Sequence, residues 1–355
     1  MRESLEEFYK EKRVLVTGHT GFKGAWLAIW LHSMGAEVSG LALDPKGSDD
    51  LFILSGAEKL LTNDFRADIR DFNLVKEAVE TARPEIIFHL AAQPLVSEGY
   101  ADPLYTYSTN IMGTANMLEA ARDASTVSSL LLITSDKCYE NTGKREGYAE
   151  QDPMGGFDPY SSSKGAAELV ISSYHRSFYH KSKSAAIASA RAGNVLGGGD
   201  RAADRLIPDC VRAFESGKPV TLRNPQFTRP WQHVLDPLGA YLLLAKKLAE
   251  KGDEFSGPWN FGPEESESYT VRELAEAFSR AYGKGAVRVE AQSGIHEATY
   301  LSLDISKAKE RLNWGPLVSF SECIAMTADW YRRSLSEDPA NLCLEQIGKY
   351  MQLWR

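Results

Sequence analysis

Residues 13–44 read RVLVTGHTGFKGAWLAIWLHSMGAEVSGLALD. A β-branched run stops at Gly18, two more glycines follow at 21 and 24, an amphipathic helix opens through GAWLAIWLHSM, and a second apolar run, EVSGLAL, closes the stretch. Strand, helix and strand in that order make a βαβ unit. Glycines in the first turn let the backbone bend tightly, approach a ligand and pack helix against strand, while the helix amino terminus offers unpaired N–H groups and positive dipole. The result is a seat for a pyrophosphate. The spacing is GxxGxxG rather than GxGxxG, and a chain with 28 glycines offers such spacings by chance. The position between strand and helix is what carries the reading.

A dinucleotide seat has further parts. Phe22 and Lys23 lie between the last two glycines and belong to it. Asp44 ends the second strand, where a carboxylate accepts hydrogen bonds from ribose hydroxyls and repels a 2′-phosphate, so NAD is expected rather than NADP. Its other reading is a turn residue in DPKG. Asp68, followed by Ile69 in ADIRD, stands where a third strand should end and either meets the adenine edge or serves a turn. HLAAQ closes a fourth strand with Leu90, Ala91, Ala92 and Gln93, small enough at the centre for a cofactor to lie against the backbone.

The alternation recurs. LVKEAVETA leads into EIIFHLAA, NIMGTANMLEAARDA into SLLLITS, and a helix from Tyr160 to about Tyr179 into AAIASARAGNVLG. Runs apolar on both faces are buried parallel strands covered by helices. The expected fold is α/β, a Rossmann-type doubly wound parallel sheet with a smaller C-terminal α/β substrate-binding lobe. Residues 1–194 form the NAD-binding domain, with 235–262 returning to it, and 195–234 with 263–355 form the lobe.

Forty basic against 48 acidic residues give a net charge of −8, which does not favour nucleic acid or an anionic membrane as partner. Cys138, Cys210, Cys323 and Cys343 are far apart and show no metal-ligand spacing, so reduced thiols and no metal are expected. No run approaches the length of a membrane span, and the charged start MRESLEEFYKEKR has no apolar signal core, which points to the cytoplasm.

YxxxK occurs at Tyr160 with Lys164 and at Tyr179 with Lys183. Tyr160 follows the stop signal FDP and opens a helix, so Lys164 lies one turn on along the same face; Tyr179, in the run HKSKS, reads as surface. A phenol is too weak an acid to be a base at neutral pH unless a nearby ammonium favours the phenolate. Ser135 ends the preceding sheet strand, in ITSDKCYEN, and can hydrogen-bond the same substrate hydroxyl. Asp136 and Lys137 follow it directly, as an acid and an amine or as a solvated pair.

TGHTGFKG, HLAAQ, Ser135 and YSSSK together resemble the extended short-chain dehydrogenase/reductase family over roughly residues 12–330. TSDKCYEN, RAGNVLGGGD, RLIPD and TRPWQHVLDPL resemble its nucleotide-sugar 4,6-dehydratases. The resemblance implies a hydro-lyase acting on CDP-glucose with NAD, whose keto-deoxy product feeds dideoxy sugars of lipopolysaccharide O-antigen. It implies Tyr160 as acceptor of the C4 hydroxyl proton, Lys164 on the nicotinamide ribose and Asp136 as acid for the C6 hydroxyl. Lys137 stands where most such enzymes have Glu, and is either the C5 base or a cation on the enolate. Asn194, Arg205 with Leu206, and Arg229 are carried over for the diphosphate, with Asn260 and Tyr300 for base or phosphates; the lesser reading of the two arginines is as ordinary surface residues. A homodimer or homotetramer through a four-helix interface, built from NIMGTANMLEAARDA and the helix after Tyr160, is implied as well. A 4-epimerase shares everything except the need for Asp136, and a non-catalytic NAD sensor needs no tuned phenol.

Overall fold

The computed structural model describes residues 2–180, 185–264, 269–290 and 300–354. Seven parallel strands form its central sheet: β1 Arg13–Thr17, β2 Glu37–Ala42, β3 Asn63–Arg66, β4 Ile86–His89, β5 Ser129–Ile133, β6 Ala186–Ala192 and β7 Gly257–Phe261. They lie in the order β7-β6-β5-β4-β1-β2-β3. Val14 pairs with Val38 on one side and Ile86 on the other, so the chain winds outward from β1 in both directions. The carboxyl ends of β1 and β4 therefore diverge into a crevice, the usual place for a ligand in such a sheet.

Side chains alternate between two cores, as the strand period requires. Val14, Val16, Phe88 and Leu131 point into one, and Leu15, Ile87, Leu130 and Leu132 into the other. Helix α1, Phe22–Ser33, covers the first face, and α2, Phe72–Ala82, and α3, Gly113–Arg122, cover the second. Helix α4, Pro159–Tyr174, begins under tight control. Asp158 accepts from the Ser161 N–H (2.9 Å) and hydroxyl, and Pro159 occupies the first helical position. That cap fixes where Tyr160 leaves the backbone.

Residues 235–262 rejoin the sheet: α5, Leu235–Lys251, packs on the first core and leads to β7, which runs parallel to β6. Outside the sheet, short ladders pair Val195–Leu196 with Gln232–His233, Thr228–Arg229 with Tyr269–Thr270, and Val220–Leu222 with Val287–Val289. No helix among the described residues is long and apolar enough to cross a membrane. All four cysteines are buried and none forms a disulfide among the described residues.

Two expectations are corrected. Helix α1 is not amphipathic, because eight successive residues from Gly24 to Leu31 are buried. Its outer face is closed by the C-terminal helix Pro339–Leu353 and Trp354, with the Trp30 ring edge-on to Tyr350 at 5.6 Å and near Trp354. Trp26 donates to the Gly198 carbonyl at 2.9 Å. Tyr179 is not a surface residue. The helix ends in a π turn, His175–Tyr179, which buries the Tyr179 ring and lets its hydroxyl donate to the Leu118 carbonyl at 2.6 Å. Lys183 lies outside the described residues.

Candidate active site

A cleft of about 1510 Å³ runs along the carboxyl ends of the strands. That exceeds the range of a single drug-sized ligand, so there is room for two. Gly18, Gly21, Phe22, Lys23, Gly24, Asp44, Asp68, Ile69, Leu90, Ala91, Ala92 and Gln93 line one half. Gly18 has φ +74, and a Cβ there would stand 2.8 Å from Ala91 N; at Gly24 it would stand 2.1 Å from the Gly18 carbonyl oxygen. Only bare backbone permits both approaches. Asp44 is exposed on the rim. Asp68 is engaged in its own turn, accepting from the Arg70 N–H and guanidinium, which hold its carboxyl below the usual range. The Gln93 side chain braces the wall: its amide donates to Thr106, its oxygen accepts from Leu95 N, and its backbone N–H donates to Asn110.

Asn194, Arg205, Leu206, Arg229 and Tyr300 line the other half. Arg205 pairs with Asp200 at 3.0 Å. Asn260 does not belong with them. It is fully buried behind the cleft, where its oxygen accepts from Tyr139 (2.7 Å) and its amide donates to the Tyr148 and Asp304 carbonyls. It sits inside β7, whose side chains serve the core.

Between the halves, Ser135, Asp136, Lys137, Tyr160 and Lys164 converge. Ser135 caps a short turn, accepting from Lys137 N at 3.2 Å and donating to Asp136 Oδ1 at 2.9 Å. Lys137 Nζ lies 3.4 Å from the same oxygen. Asp136 is 1% exposed, and its second oxygen, Oδ2, is buried without a hydrogen-bond partner among the described residues. Gly193 faces that oxygen; a Cβ there would stand 3.0 Å from it.

The Tyr160 phenol departs from expectation. Burial pushes its pKa up, against the pull of Lys137, a hydrogen bond with Ser135 and Arg205. Lys137, rather than Lys164, is the foremost cation acting on it. Burial also lowers Lys164, to about 8, with Glu168 resisting, and Lys23, to about 7, with Arg205 and Lys164 adding to the fall. Cations that weaken one another in a buried cleft are matched to an anionic ligand.

Residues 15–327 match the GDP-mannose 4,6 dehydratase family. The chain belongs to that family. It is 44% identical to a CDP-glucose 4,6-dehydratase of Salmonella typhimurium, over 98% of each chain, and 28% identical to a probable dTDP-glucose 4,6-dehydratase of Sinorhizobium fredii, over 90% and 92%. A dTDP-glucose 4,6-dehydratase from Streptomyces venezuelae, solved with NAD bound, superposes with TM-score 0.76 and 26% identity over 91% and 98% of the chains. A UDP-glucose 4-epimerase from Thermotoga maritima superposes with the same score at 25% identity, over 91% and 99%. The enzyme is a hydro-lyase.

Behind the reacting groups this dehydratase holds a charge network that sequence reading passed over. Glu168, one turn beyond Lys164, accepts from Thr134, from Ser189 (2.8 Å) and from Arg191 (2.7 Å). Arg191 also donates to the Tyr139 hydroxyl at 2.6 Å and the Glu150 carbonyl at 3.0 Å. Glu168 and Arg191 are 4% and 3% exposed. The signal was present: Arg191 is the lone charge in AIASARAGN, and an arginine inside a buried strand requires a buried carboxylate. Breaking the pair from one side strands the other charge, so Arg191→Met should cost about 3–5 kcal/mol. Urea unfolding of the variant measures it.

Proposed function

We propose that this dehydratase converts CDP-D-glucose into CDP-4-dehydro-6-deoxy-D-glucose and water, with NAD as its resident cofactor. The substrate follows the Salmonella relative, which is similar from end to end. The cofactor suits the groove: bare backbone at Gly18 and Gly24 leaves a cradle that a Cβ would fill, Asp44 on the rim suits a ribose diol, and Tyr160 and Lys164 stand where the nicotinamide end would lie. NAD, when bound, supplies a hydride acceptor and gives the same hydride back later in the cycle.

The chain's own groups do the rest. Tyr160 takes the C4 hydroxyl proton, and Ser135 hydrogen-bonds the same oxygen. Lys164 holds the cofactor ribose. The resulting 4-ketone acidifies the hydrogen at C5, which passes as a proton to water while the C6 hydroxyl departs. Asp136 protonates that leaving hydroxyl through Oδ2. One observation carries the reading: a carboxylate oxygen buried in the cleft with no partner among the described residues. A 4-epimerase has no step that needs it. Arg205 and Arg229 face the diphosphate, where their guanidinium forks suit paired oxygens.

CDP-glucose carrying deuterium at C4 tests the whole cycle. The label should reappear at C6 of a 4-keto product; a C4 epimer instead would overturn the reading. In Asp136→Asn, turnover should fall by ~10²–10⁴-fold, the usual contribution of a general acid. The ultraviolet absorbance of reduced nicotinamide should still rise when sugar is added, because oxidation at C4 precedes the lost step.

Lys137 acts as a cation in this reading. It is the first of the groups that pull the Tyr160 phenol down, and its Nζ donates to Asp136 Oδ1 at 3.4 Å, which leaves Oδ2 for the acid's proton. Removing it lets the phenol rise further, so in Lys137→Ala the limb on which rate climbs with pH should move to higher pH, with Lys137→Arg restoring it. A pH–rate profile of unchanged position, together with loss of solvent exchange at C5, would make Lys137 the base instead.

The assembly is read as a homodimer or homotetramer. Leu104, Met112 and Leu169 are 79%, 54% and 61% exposed on the helices named for the four-helix interface or directly before them. Leu169→Glu should release the monomer in light scattering on a sizing column. Buried cysteines outside any disulfide accord with a cytoplasmic enzyme.

A further inference from the structure

At the amino-terminal edge of the sheet, opposite the cleft, two histidines and an aspartate converge. His175 Nε2 lies 2.6 Å from Asp253 Oδ1, and His180 Nδ1 lies 2.6 Å from Asp253 Oδ2. Their ligand atoms all fall within 4.8 Å of one another. His175 and His180 stand near the end of the segment leading to β6, and Asp253 stands in the turn Gly252–Phe255 that leads to β7. The reaction described above has no use for any of them.

The backbone is shaped to bring the rings together. Residues five apart on an α-helix point well away from each other, but here the helix ends in a π turn in which His180 N–H donates to the His175 carbonyl at 2.8 Å. The wider turn brings positions i and i+5 onto one face, and the ring centroids are 5.7 Å apart. π turns inside longer helices occur often at functional sites.

We propose that His175, His180 and Asp253 form a binding site for a transition-metal cation of the zinc type, which clamps the end of α4 to the turn entering β7. Two imidazoles with one carboxylate are a donor set found in zinc proteins, and imidazole selects such ions over magnesium or calcium. With metal–ligand distances of about 2.0–2.2 Å, tetrahedral donors sit roughly 3.3 Å apart. Each His–Asp contact must therefore open by about 0.7 Å from its present 2.6 Å, within the reach of side-chain rotation at partly exposed positions. Each imidazole then presents the nitrogen that now faces the carboxylate and keeps its proton on the other. Water completes the coordination, since side-chain exposures of 22%, 59% and 45% leave the cluster open to solvent.

The test uses the full chain, treated with chelator and then titrated with Zn²⁺ alone. Calorimetry should find one ion per chain, with a rise in melting temperature that Mg²⁺ does not produce. His175→Ala, His180→Ala and Asp253→Asn should each weaken Zn²⁺ by at least the ~10-fold that loss of an outer-shell partner already costs. Turnover of CDP-glucose should be unchanged, because the cluster lies across the sheet from the cleft. Co²⁺ added to the unaltered chain should give the visible band of four-coordinate nitrogen and oxygen ligation, a readout independent of how any variant folds. Absence of Zn²⁺ uptake and of that band, or binding of equal strength in the His175→Ala/His180→Ala double variant, overturns the proposal.

Discussion

A carboxylate and a guanidinium, both almost wholly cut off from water, meet behind the end of β5, and the placement of the reacting groups depends on that meeting. Glu168 and Arg191 bind strands and helix at once. Thr134 and Ser189 donate to the acid, while Tyr139 ties the base to Asn260 in β7. Such a pair adds little net stability, because desolvating both charges offsets most of their attraction. What it supplies is definition. Residues 133–135 use successive groups for different ends: the Ile133 carbonyl faces Lys164 Nζ at 3.4 Å, the Thr134 hydroxyl faces Glu168, and the Ser135 hydroxyl faces Asp136. A slip of the strand by one residue would break the first two.

A second constraint is steric. The turn after β1 passes so close to the end of β4 that no side chain fits at Gly18, and Gly24 then carries α1 back against the same carbonyl. The crevice made by the winding of the sheet is thereby kept open and lined with backbone N–H groups. The cations Lys23, Lys164 and Arg205 stand around it. Shape and charge point to the same kind of ligand, one with phosphates in its middle.

Much of this was legible in the residues. Gly18, Gly21 and Gly24 between an apolar run and a helix announce the crevice, and Ser135, Tyr160 and Lys164 fall together because the chain places each at the carboxyl end of a strand or the start of a helix. The misses share one cause, contact between residues distant in sequence. GAWLAIWL reads as half of an amphipathic helix until Tyr350 and Trp354 return to cover its other side. Tyr179 reads as surface because its run is polar, yet its partner, the Leu118 carbonyl, lies 61 positions away. Asn260 reads as a ligand group only by resemblance; here its amide is used up on the Tyr148 and Asp304 carbonyls. The phenol reads as pulled down by its helix neighbour, but burial acts more strongly, and burial is not visible in spacing.

The unpartnered oxygen of Asp136 has a meaning beyond the step proposed for it. A buried polar atom left without a hydrogen bond costs on the order of 1–3 kcal/mol, a sizeable part of the margin by which a folded chain exceeds its unfolded state. A side chain at Gly193 would crowd that oxygen, its Cβ standing 3.0 Å away and 3.2 Å from the Pro230 ring. The glycine keeps the gap open. With Asp136 as the acid proposed above, the capacity to expel water from a sugar is held at a cost in stability, and a sequence drifting toward greater stability would drift away from its chemistry at that atom first.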